Sequence, residues 1–372
     1  MGKPTQERLA NFRENMGALG VEAFLVSIEE NRHYLSGFTG EDGQFDETAG
    51  MLIITADKAY LVTDGRYVTQ AKNETHGFEV VRYTKSVFET VVAILKDQPV
   101  QQLAFEEERL SVGQHQQLLE SVKKVGSRIT VTASKSVATQ LRTCKDNREL
   151  SQTRRAIAVA EMAFEAILTE IQPGMTEKAV AWRMEQLMRE AGADGLSFPV
   201  IVAAGPDSAR PHAIPSDRPV KKGEPLLFDW GARKTGYCSD TSRTIILGMA
   251  DQQFEDIYAT VREAQAMAQA AMKPGVACRK VDRIARDYIA SKGYGDYFSH
   301  GLGHGTGLAI HEAPRLSPIS DAVLTPGMIC TVEPGIYLPD WGGVRLENQV
   351  VVTENGIEQL TRLGLDNYVV RV

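Results

Sequence analysis

Apolar positions in the first third of the chain predict short strands that alternate with helices. An amphipathic helix over 6–19, ending at Gly20, is predicted by apolar residues at steps of three and four: Leu9, Phe12, Met16 and Leu19. Strand-like runs are EAFLVS (22–27), MLIITADKAYLVTDG (51–65), FEVVRY (78–83), LAFE (103–106) and ITVTAS (129–134). Helical patterns occupy SVFETVVAILKDQ (86–98) and 112–123. This alternation is typical of a mixed α/β domain.

A polar stretch, TQLRTCKDNRE (139–149), reads as the linker to a second domain. Asp146 or Asn147 is placed to cap the helix that follows. We therefore predict two domains, an amino-terminal α/β domain over 1–138 and a carboxy-terminal domain over 139–372, in an overall fold of class α/β (α+β).

The second domain repeats its own pattern. One helix from 148 runs to QPG (172–174), and a second, with Thr176 as its expected cap, ends at Gly192. An Ala- and Met-rich helix that runs into KPG (273–275), followed by a helix that ends at Gly293, repeats this pattern 101 residues later. An internal duplication accounts for this register.

The repeat extends into apolar strands that contain acidic residues. GEPLLFDWG (223–231) aligns with GMICTVEPG (327–335), which places Asp229 over Glu333. A further drift of the register places Asp240 over Glu347. Each half therefore contributes two carboxylates at equivalent places, with Asp229 and Asp240 on two strands that the turn GARKTG joins.

These buried acids predict a metal site. One aspartate in a strand is more often salt-bridged, but four converging acids repel one another strongly unless cations neutralise them. His304 lies in the glycine-rich stretch GLGHGTGLAIHEAP (301–314), where the backbone can approach a bound group closely, and it is the best imidazole ligand. Oxygen-rich ligation with one imidazole favours two divalent ions, most simply Mn²⁺, with Co²⁺, Zn²⁺ or Fe²⁺ as alternatives.

Composition excludes several other classes of protein. Apolar residues make up 43% and charged residues 24% of the chain, which are ordinary globular values. The net charge of −7 disfavours nucleic acid as a partner. We expect no membrane segment and no secretory signal, because MGKPTQERLANFREN lacks an apolar core. The four cysteines lack any CxxC spacing, so we expect reduced thiols and a cytoplasmic location.

Four motifs resemble the metal-dependent peptidases of the pita-bread fold: aminopeptidase P, prolidase and methionine aminopeptidase. They are D(x10)D at 229–240, GHGxGxxxHExP at 303–314, VEPGIY at 332–337 and GxRxEN at 343–348. YLSGFTG (34–40) and VTDGRYVTQA (62–71) are similar to the creatinase/prolidase-type amino-terminal domain of aminopeptidase P and prolidase. The resemblance implies a pita-bread catalytic domain whose two halves are related by pseudo-two-fold symmetry.

The resemblance also implies roles for individual residues. The metal ligands would be Asp229, Asp240, His304, Glu333 and Glu347. His212 and His311 would contact the substrate and stabilise the transition state, Arg345 would support the acidic cluster, and His300 would line the proline pocket. The wall for the proline ring is predicted at Phe198, Tyr237 and His300.

The implied reaction is hydrolysis of the bond between an amino-terminal residue and proline by a hydroxide that bridges the two metals. We expect Glu333 to relay the water's proton, with His212 and His311 donating to the oxyanion. VTDGRYVTQA favours the aminopeptidase P type. The alternatives are a Xaa-Pro dipeptidase (prolidase), then a metal-free creatinase-like hydrolase or a non-catalytic binding protein. Short proline-containing peptides are the expected substrates, and a homodimer is the expected assembly.

Three features depart from the usual family pattern. The loop GEDGQFDETAG (40–50) is longer and more acidic than the common turn. Trp230 and Ser242 occupy positions where smaller residues or threonine are commoner, and we expect neither to touch the predicted ligands. These departures therefore bear on substrate range more than on catalysis.

Overall fold

The computed structural model describes residues 2–43 and 47–371, which divide into two compact units after Arg142. Residues 44–46 of the acidic 40–50 loop lie outside the described residues. The predicted linker is partly helical, since a short helix spans Val137–Leu141 and the next helix begins at Asn147. The domain boundary at 138/139 stays a prediction.

The first unit is a mixed sheet with helices. Its strands are β1 Ala23–Val26, β2 Met51–Thr55, β3 Ala59–Thr63, β4 Glu79–Arg82, β5 Gln102–Glu106 and β6 Thr130–Ser134. Its helices are α1 Gly2–Ala18, α2 Glu29–Ser36, α3 Val68–Glu74, α4 Val87–Lys96, α5 Val112–Val125 and α6 Val137–Leu141. The strand order is β4-β3-β2-β1-β5-β6, with β1–β2 and β2–β3 antiparallel and the other neighbours parallel. Every strand predicted in this region is confirmed.

The first helix differs from its prediction at its end. Phe12 and Met16 are buried as expected, but the helix ends at Ala18, and Leu19 beyond it is 52% exposed. The prediction that Leu19 belongs to the buried face is therefore wrong. Helices α2, α3 and α6 were not predicted, because each is only 5 to 8 residues long and shows too few turns for a helical period.

The second unit contains longer helices and shorter strands. Its helices are α7 Asn147–Glu170, α8 Glu177–Glu190, α9 Gln252–Ala271 and α10 Cys278–Ser291. Its strands up to the middle of the unit are β7 Gly195–Leu196, β8 Ile201–Ala204, β9 Pro225–Trp230, β10 Ala232–Lys234, β11 Tyr237–Cys238 and β12 Thr241–Leu247. The later strands are β13 Gly303–Gly305, β14 Glu312–Leu316, β15 Ile329–Val332, β16 Gly335–Leu338, β17 Gly342–Arg345, β18 Asn348–Val352, β19 Ile357–Gln359 and β20 Val369–Val370.

Helix caps in this unit follow the sequence closely. Asp146 caps α7, where its side chain accepts from the amides of Arg148 and Glu149, and Glu149 completes a capping box. Thr176 caps α8 as predicted, accepting from the amide of Ala179. Such caps satisfy amides that have no partner within the helix, so the sequence fixes where both helices begin.

Hydrogen bonds reproduce the internal duplication. The amide of Gly174 donates to the carbonyl of Val220, and the amide of Gly275 donates to that of Leu324, both at 2.9 Å. The glycines that end corresponding helical segments all have φ between 84° and 96°: Gly174, Gly192, Gly275 and Gly293. The strand sequence β8-β9-β12 of one sheet corresponds to β13-β15-β18 of the other, and all these neighbours are antiparallel.

The buried side chains of the second unit form two main clusters, one for each half. In the first half, α7 and α8 pack on β8, β9 and β12, and Trp230 stacks on Phe164 with ring centroids 4.4 Å apart. In the second half, α9 and α10 pack on β15, β17 and β18. Each helix pair thus covers its own sheet, and the acidic residues lie at the strand ends. In the described part of the chain, every helix is too short or too polar to cross a membrane.

Candidate active site

The four predicted acidic ligands lie at the ends of paired strands. Asp229 lies near the end of β9, and Asp240 immediately precedes its antiparallel neighbour β12. Glu333 follows β15, and Glu347 immediately precedes β18, the antiparallel neighbour of β15. One carboxylate oxygen from each of Asp229, Asp240 and Glu347 lies within 4.8 Å of the others. The duplicated fold therefore brings acids from both halves to one place.

The segment between the two aspartates is more elaborate than the predicted single turn. It forms the hairpin β10–β11, which pairs with β7 in a sheet separate from that of β9 and β12. The turn of this hairpin contains Thr235 and Gly236, with φ of 52° and 83°. Asp240 lies just beyond the hairpin, where the chain returns to the side of β9.

His304 is the imidazole that the structure places beside these acids. Its Nδ1 lies 3.0 Å from the carbonyl oxygen of Gly305, which can only accept, so Nδ1 carries the proton and the Nε2 lone pair is available. Nε2 lies 3.4 Å from both Asp240 Oδ2 and Glu333 Oε1. The flanking glycines are needed for close strand packing, because a Cβ on Gly305 would collide with the carbonyl of Ala313.

The electrostatics of the cluster fit a cation. Burial, followed by repulsion from neighbouring carboxylates, raises the pKa values of Asp240 and Glu347 well above their ordinary values, and burial raises the pKa of Glu333 to about 7. Burial also lowers the pKa of His304 to about 4, which keeps its imidazole neutral. Among the described residues, neither Asp229 Oδ1 nor Glu347 Oε1 has a hydrogen-bond partner although both atoms are buried. Buried, unpaired carboxylate oxygens beside a neutral imidazole are a donor set for divalent metal ions.

Arg345 links acids from the two halves. Its Nη2 donates to Asp229 Oδ2 at 2.6 Å, and its Nε donates to Ser242 Oγ at 2.8 Å. Ser242 Oγ in turn donates to Glu347 Oε2 at 2.8 Å. The prediction that Ser242 does not touch the ligands is therefore wrong, because β12 points this hydroxyl toward Glu347. Trp230, another of the departures from the family pattern, is buried in the core and donates to the carbonyl of Ala160.

Tyr337 is a site residue that the sequence analysis missed. Its hydroxyl accepts from Arg345 Nη1 at 2.9 Å and lies 2.8 Å from His300 Nε2. Because His300 Nδ1 faces the carbonyl of Gly301, Nε2 is the acceptor and Tyr337 donates to it. The motif VEPGIY contained a clue to this role, because Tyr337 follows Gly335 by two residues. Side chains alternate along β16, so Tyr337 lies on the same side of the strand as Gly335.

A cavity of about 440 Å³ opens beside the cluster. The predicted site residues in its wall are Phe198, His212, Asp229, Asp240, His300, His304, His311, Glu333 and Arg345. Glu347 lies behind this wall and reaches the cluster through its carboxylate. The ring of His311 meets that of His304 edge to face, with centroids 4.4 Å apart. The roles of these residues stay predictions.

Tyr237 lies outside the wall of this cavity, so the structure does not bring it together with Phe198 and His300. It lies in the hairpin β10–β11, which packs against α7, and its hydroxyl donates to Glu149 Oε1 at 3.0 Å. The sequence pattern could not show that the hairpin leaves the sheet of β9 and β12. An unpredicted residue in the wall is Arg315, which the register of β13 and β14 pairs directly with His304. The sequence clue to Arg315 was its position four residues after His311.

Known proteins resemble the chain over nearly its whole length. It is 36% identical to the Xaa-Pro dipeptidase of Pyrococcus furiosus, over 96% of this chain and 98% of that protein. The solved structure of a Xaa-Pro dipeptidase from Bacillus anthracis matches with a TM-score of 0.92 and 37% identity, covering 98% of this chain and 99% of the other. The X-Pro aminopeptidase from Thermotoga maritima matches with a TM-score of 0.85 and 35% identity, covering 96% and 100%.

Family models agree with these matches. The model of the creatinase/prolidase N-terminal domain matches residues 8–144, and that of metallopeptidase family M24 matches residues 151–354. The second match contains all five predicted metal ligands. The chain therefore belongs to metallopeptidase family M24, with a creatinase/prolidase amino-terminal domain before a pita-bread catalytic domain.

Proposed function

We propose that this protein is a metal-dependent Xaa-Pro dipeptidase in which Arg315 binds the carboxylate of the dipeptide. The observation that carries the proposal is the position of Arg315, in the cavity wall and paired in register with His304. In a Xaa-Pro dipeptide the free carboxylate lies on the proline itself, one residue from the scissile bond. A guanidinium there can bind it through two parallel hydrogen bonds.

The choice of dipeptidase replaces the aminopeptidase P preference. That preference depends on the stretch VTDGRYVTQA alone, whereas relatives similar over nearly the full chain are named Xaa-Pro dipeptidases. A cavity of about 440 Å³ is large enough to hold a dipeptide. The matching X-Pro aminopeptidase structure makes cleavage of longer peptides the rival outcome of the experiment below.

Two divalent metal ions, Mn²⁺ by preference, would be held by the proposed ligand set: Asp229, Asp240, His304, Glu333 and Glu347. When bound, such ions would supply Lewis-acid polarisation of the peptide carbonyl and acidify water. The unpartnered oxygens of Asp229 and Glu347 support this set, because burial of unpaired carboxylates is costly without a cation. Co²⁺, Zn²⁺ and Fe²⁺ satisfy the same donors.

The protein's own groups would handle protons and orient the substrate. Glu333, a cavity residue, takes the proton of the attacking water and passes it to the leaving proline nitrogen. His212 and His311 donate to the developing oxyanion from the same wall. Phe198 and His300 form the surface for the proline ring. We further propose that the protein acts in the cytoplasm as a homodimer.

The test compares substrates that differ only in what is attached to the carbonyl of the proline. The purified, Mn²⁺-loaded protein is assayed with Ala-Pro, Ala-Pro-NH₂ and Ala-Pro-Ala, for the wild type and for Arg315→Ala. We expect the wild type to prefer Ala-Pro, and Arg315→Ala to raise the KM for Ala-Pro by about tenfold or more, because one charge-assisted contact contributes about 1.5–3 kcal/mol. Ala-Pro-NH₂ lacks the carboxylate, so its hydrolysis should change little.

Two controls make the result specific. Arg315→Lys keeps the positive charge and should recover part of the affinity for Ala-Pro, though a lysine lacks the planar fork. Metal content is measured in every variant, so that loss of the ions is not mistaken for loss of substrate binding. A wild type that prefers Ala-Pro-Ala, or an Arg315→Ala variant that weakens all three substrates equally, would reject the proposal.

A further inference from the structure

The segment Phe298–Leu302 carries His300 into the cavity wall and leads directly to His304. It has little regular structure of its own, since it lies between a short 3₁₀ turn and β13. A segment of this kind keeps its place only if other elements hold it. Besides the amide of Glu333, which donates to the carbonyl of Leu302, and the hydroxyl of Tyr337, which donates to His300, two residues on α10 hold the segment. These two lie outside the cavity wall and outside the predicted ligand set.

Two side chains of α10 bind three backbone groups of this segment. Arg286 Nη1 donates to the carbonyl of Phe298 at 2.9 Å, and Arg286 Nη2 donates to that of His300 at 2.7 Å. Asp282 Oδ1 accepts from the amide of Leu302 at 3.0 Å. The contacts therefore begin two residues before His300 and end two residues after it.

Asp282 and Arg286 also fix each other. Arg286 Nε donates to Asp282 Oδ2 and Nη2 donates to Asp282 Oδ1, both at 2.9 Å, which is the paired geometry that a guanidinium and a carboxylate favour. The Asp282 side chain is only 1% exposed. The guanidinium also lies 4.4 Å from the centroid of the Phe298 ring. All three guanidinium nitrogens are thus engaged, so a lysine could reproduce only part of these contacts.

The corresponding helix of the first half supplies a contrast. Glu185 and Arg189 of α8 are also four residues apart and form an ion pair of 2.9 Å, but their side chains are 26% and 54% exposed. Such exposed pairs contribute little. The burial of Asp282 and the backbone contacts of Arg286 therefore indicate more than an ordinary surface pair.

We propose that Asp282 and Arg286 are positioning residues that fix His300 in the cavity wall and so set the affinity for substrate. The inference rests on the proposed function in one respect, that His300 forms part of the surface that binds the substrate. The pair touches neither the cavity nor the predicted ligands, so its effect on the substrate passes through the backbone of residues 298–302.

The kinetic test uses Arg286→Met with Arg189→Met as its matched control. Both replace an arginine that pairs with an acid four residues earlier, on corresponding helices. For Mn²⁺-loaded protein and Ala-Pro, we expect Arg286→Met to raise KM by about tenfold while kcat changes less than about threefold, because hydrogen bonds of a charged group are lost away from the reacting atoms. Arg189→Met should change neither constant, and Arg286→Lys should lie between the wild type and Arg286→Met.

A second measurement does not depend on the substrate. Hydrogen–deuterium exchange of a peptide that covers residues 298–303 reports directly on the amide of Leu302 and its neighbours. We expect exchange of this peptide to be at least about tenfold faster in Arg286→Met and unchanged in Arg189→Met, because only the first variant loses contacts to this segment. Arg286→Lys carries both tests if Arg286→Met does not fold.

The two measurements separate the possible failures. If the wild type does not hydrolyse Ala-Pro but exchange of 298–303 rises as expected, the proposed function fails and the positioning of the segment stands. If exchange is unchanged in a folded variant, or if KM is unchanged while exchange rises, the positioning proposal is wrong. If Arg286→Met loses metal content, stability and kcat together, Asp282 and Arg286 are general structural residues. That result would also overturn the positioning proposal.

Discussion

At the scale of single residues, a buried ion pair supports the turn that carries His311. Lys145 Nζ donates to Glu312 Oε2 at 2.8 Å, and the two side chains are 1% and 5% exposed. The other oxygen of Glu312 accepts from the amide of Ala309 at 3.0 Å, which closes the turn before His311. Glu312 thus holds the glycine-rich stretch in its conformation, while the neighbouring His311 lies in the cavity wall.

Removal of Lys145 should therefore be costly. We expect Lys145→Met to lower the free energy of unfolding by about 3–5 kcal/mol, because it removes the buried ammonium that pairs with the buried Glu312 carboxylate. The double variant Lys145→Met, Glu312→Gln should recover a large part of this loss. Urea denaturation provides the measurement, with Lys178→Met as the control, since the Lys178–Asp217 pair is exposed and should contribute about 0–1 kcal/mol. Equal effects of the two lysine substitutions would contradict this account.

The sequence revealed the acids and the imidazole because their surroundings are unusual for their chemistry. Asp229 interrupts an apolar strand and His304 lies among glycines, and both signals are local. The positioning contacts were hidden, because Asp282 and Arg286 look like an ordinary pair on a helix surface until the fold shows what covers them. The position of Tyr237 was hidden for a related reason, since alternation gives the face of a strand and not the sheet that the strand joins.

At the scale of elements, each half uses its second helix to hold a histidine-bearing segment. Glu177, in the first turn of α8, is fully buried and accepts from the amides of Ala204 at 2.7 Å and Ser216 at 2.8 Å. The segment between these amides contains His212. Because α10 holds His300 in the other half, the duplicated helices share a task while using different residues.

Glu177→Gln tests this task in the first half. The substitution preserves the length of the side chain, but an amide nitrogen must then face one backbone donor, so we expect a loss of about 1–3 kcal/mol in stability. Exchange of a peptide over 204–216 should accelerate, and kcat for Ala-Pro should fall because His212 loses its place. Glu185→Gln, on the same helix and partly exposed, is the control and should leave all three unchanged. Unaltered exchange in Glu177→Gln would show that the carboxylate does not hold this segment.

At the scale of the whole catalytic unit, the acidic cluster is where the two halves meet. Asp229 and Asp240 come from the first half, and Glu333 and Glu347 come from the second. Their mutual repulsion opposes the approach of the halves, and Arg345 is a cation that offsets part of it through its bond to Asp229. Bound cations would offset the rest of this repulsion. Metal binding should therefore stabilise the whole catalytic unit and not only the residues around the metal site.

This coupling predicts how the stability of the metal-free protein depends on pH. The pKa values of Asp240, Glu347 and Glu333 are raised in the folded chain, by burial first, so these groups hold protons that the unfolded chain has already released. Stability should therefore fall as pH rises. Neutral buried histidines act in the opposite sense below their ordinary pKa of 6.5, because the unfolded chain takes up protons there. The acids consequently dominate between about pH 6.5 and pH 8.

Thermal unfolding of chelated and Mn²⁺-loaded protein across this range measures the effect. We expect the Tm of the chelated protein to fall from pH 6.5 to pH 8, and the difference in Tm between the loaded and chelated forms to widen, because metal ions replace the protons that are lost. Asp240→Asn removes one of the repelling charges, so its chelated form should lose less Tm over the same interval. If the Tm of the chelated wild type is constant or rises from pH 6.5 to pH 8, the acids at the strand ends do not repel one another as this account requires.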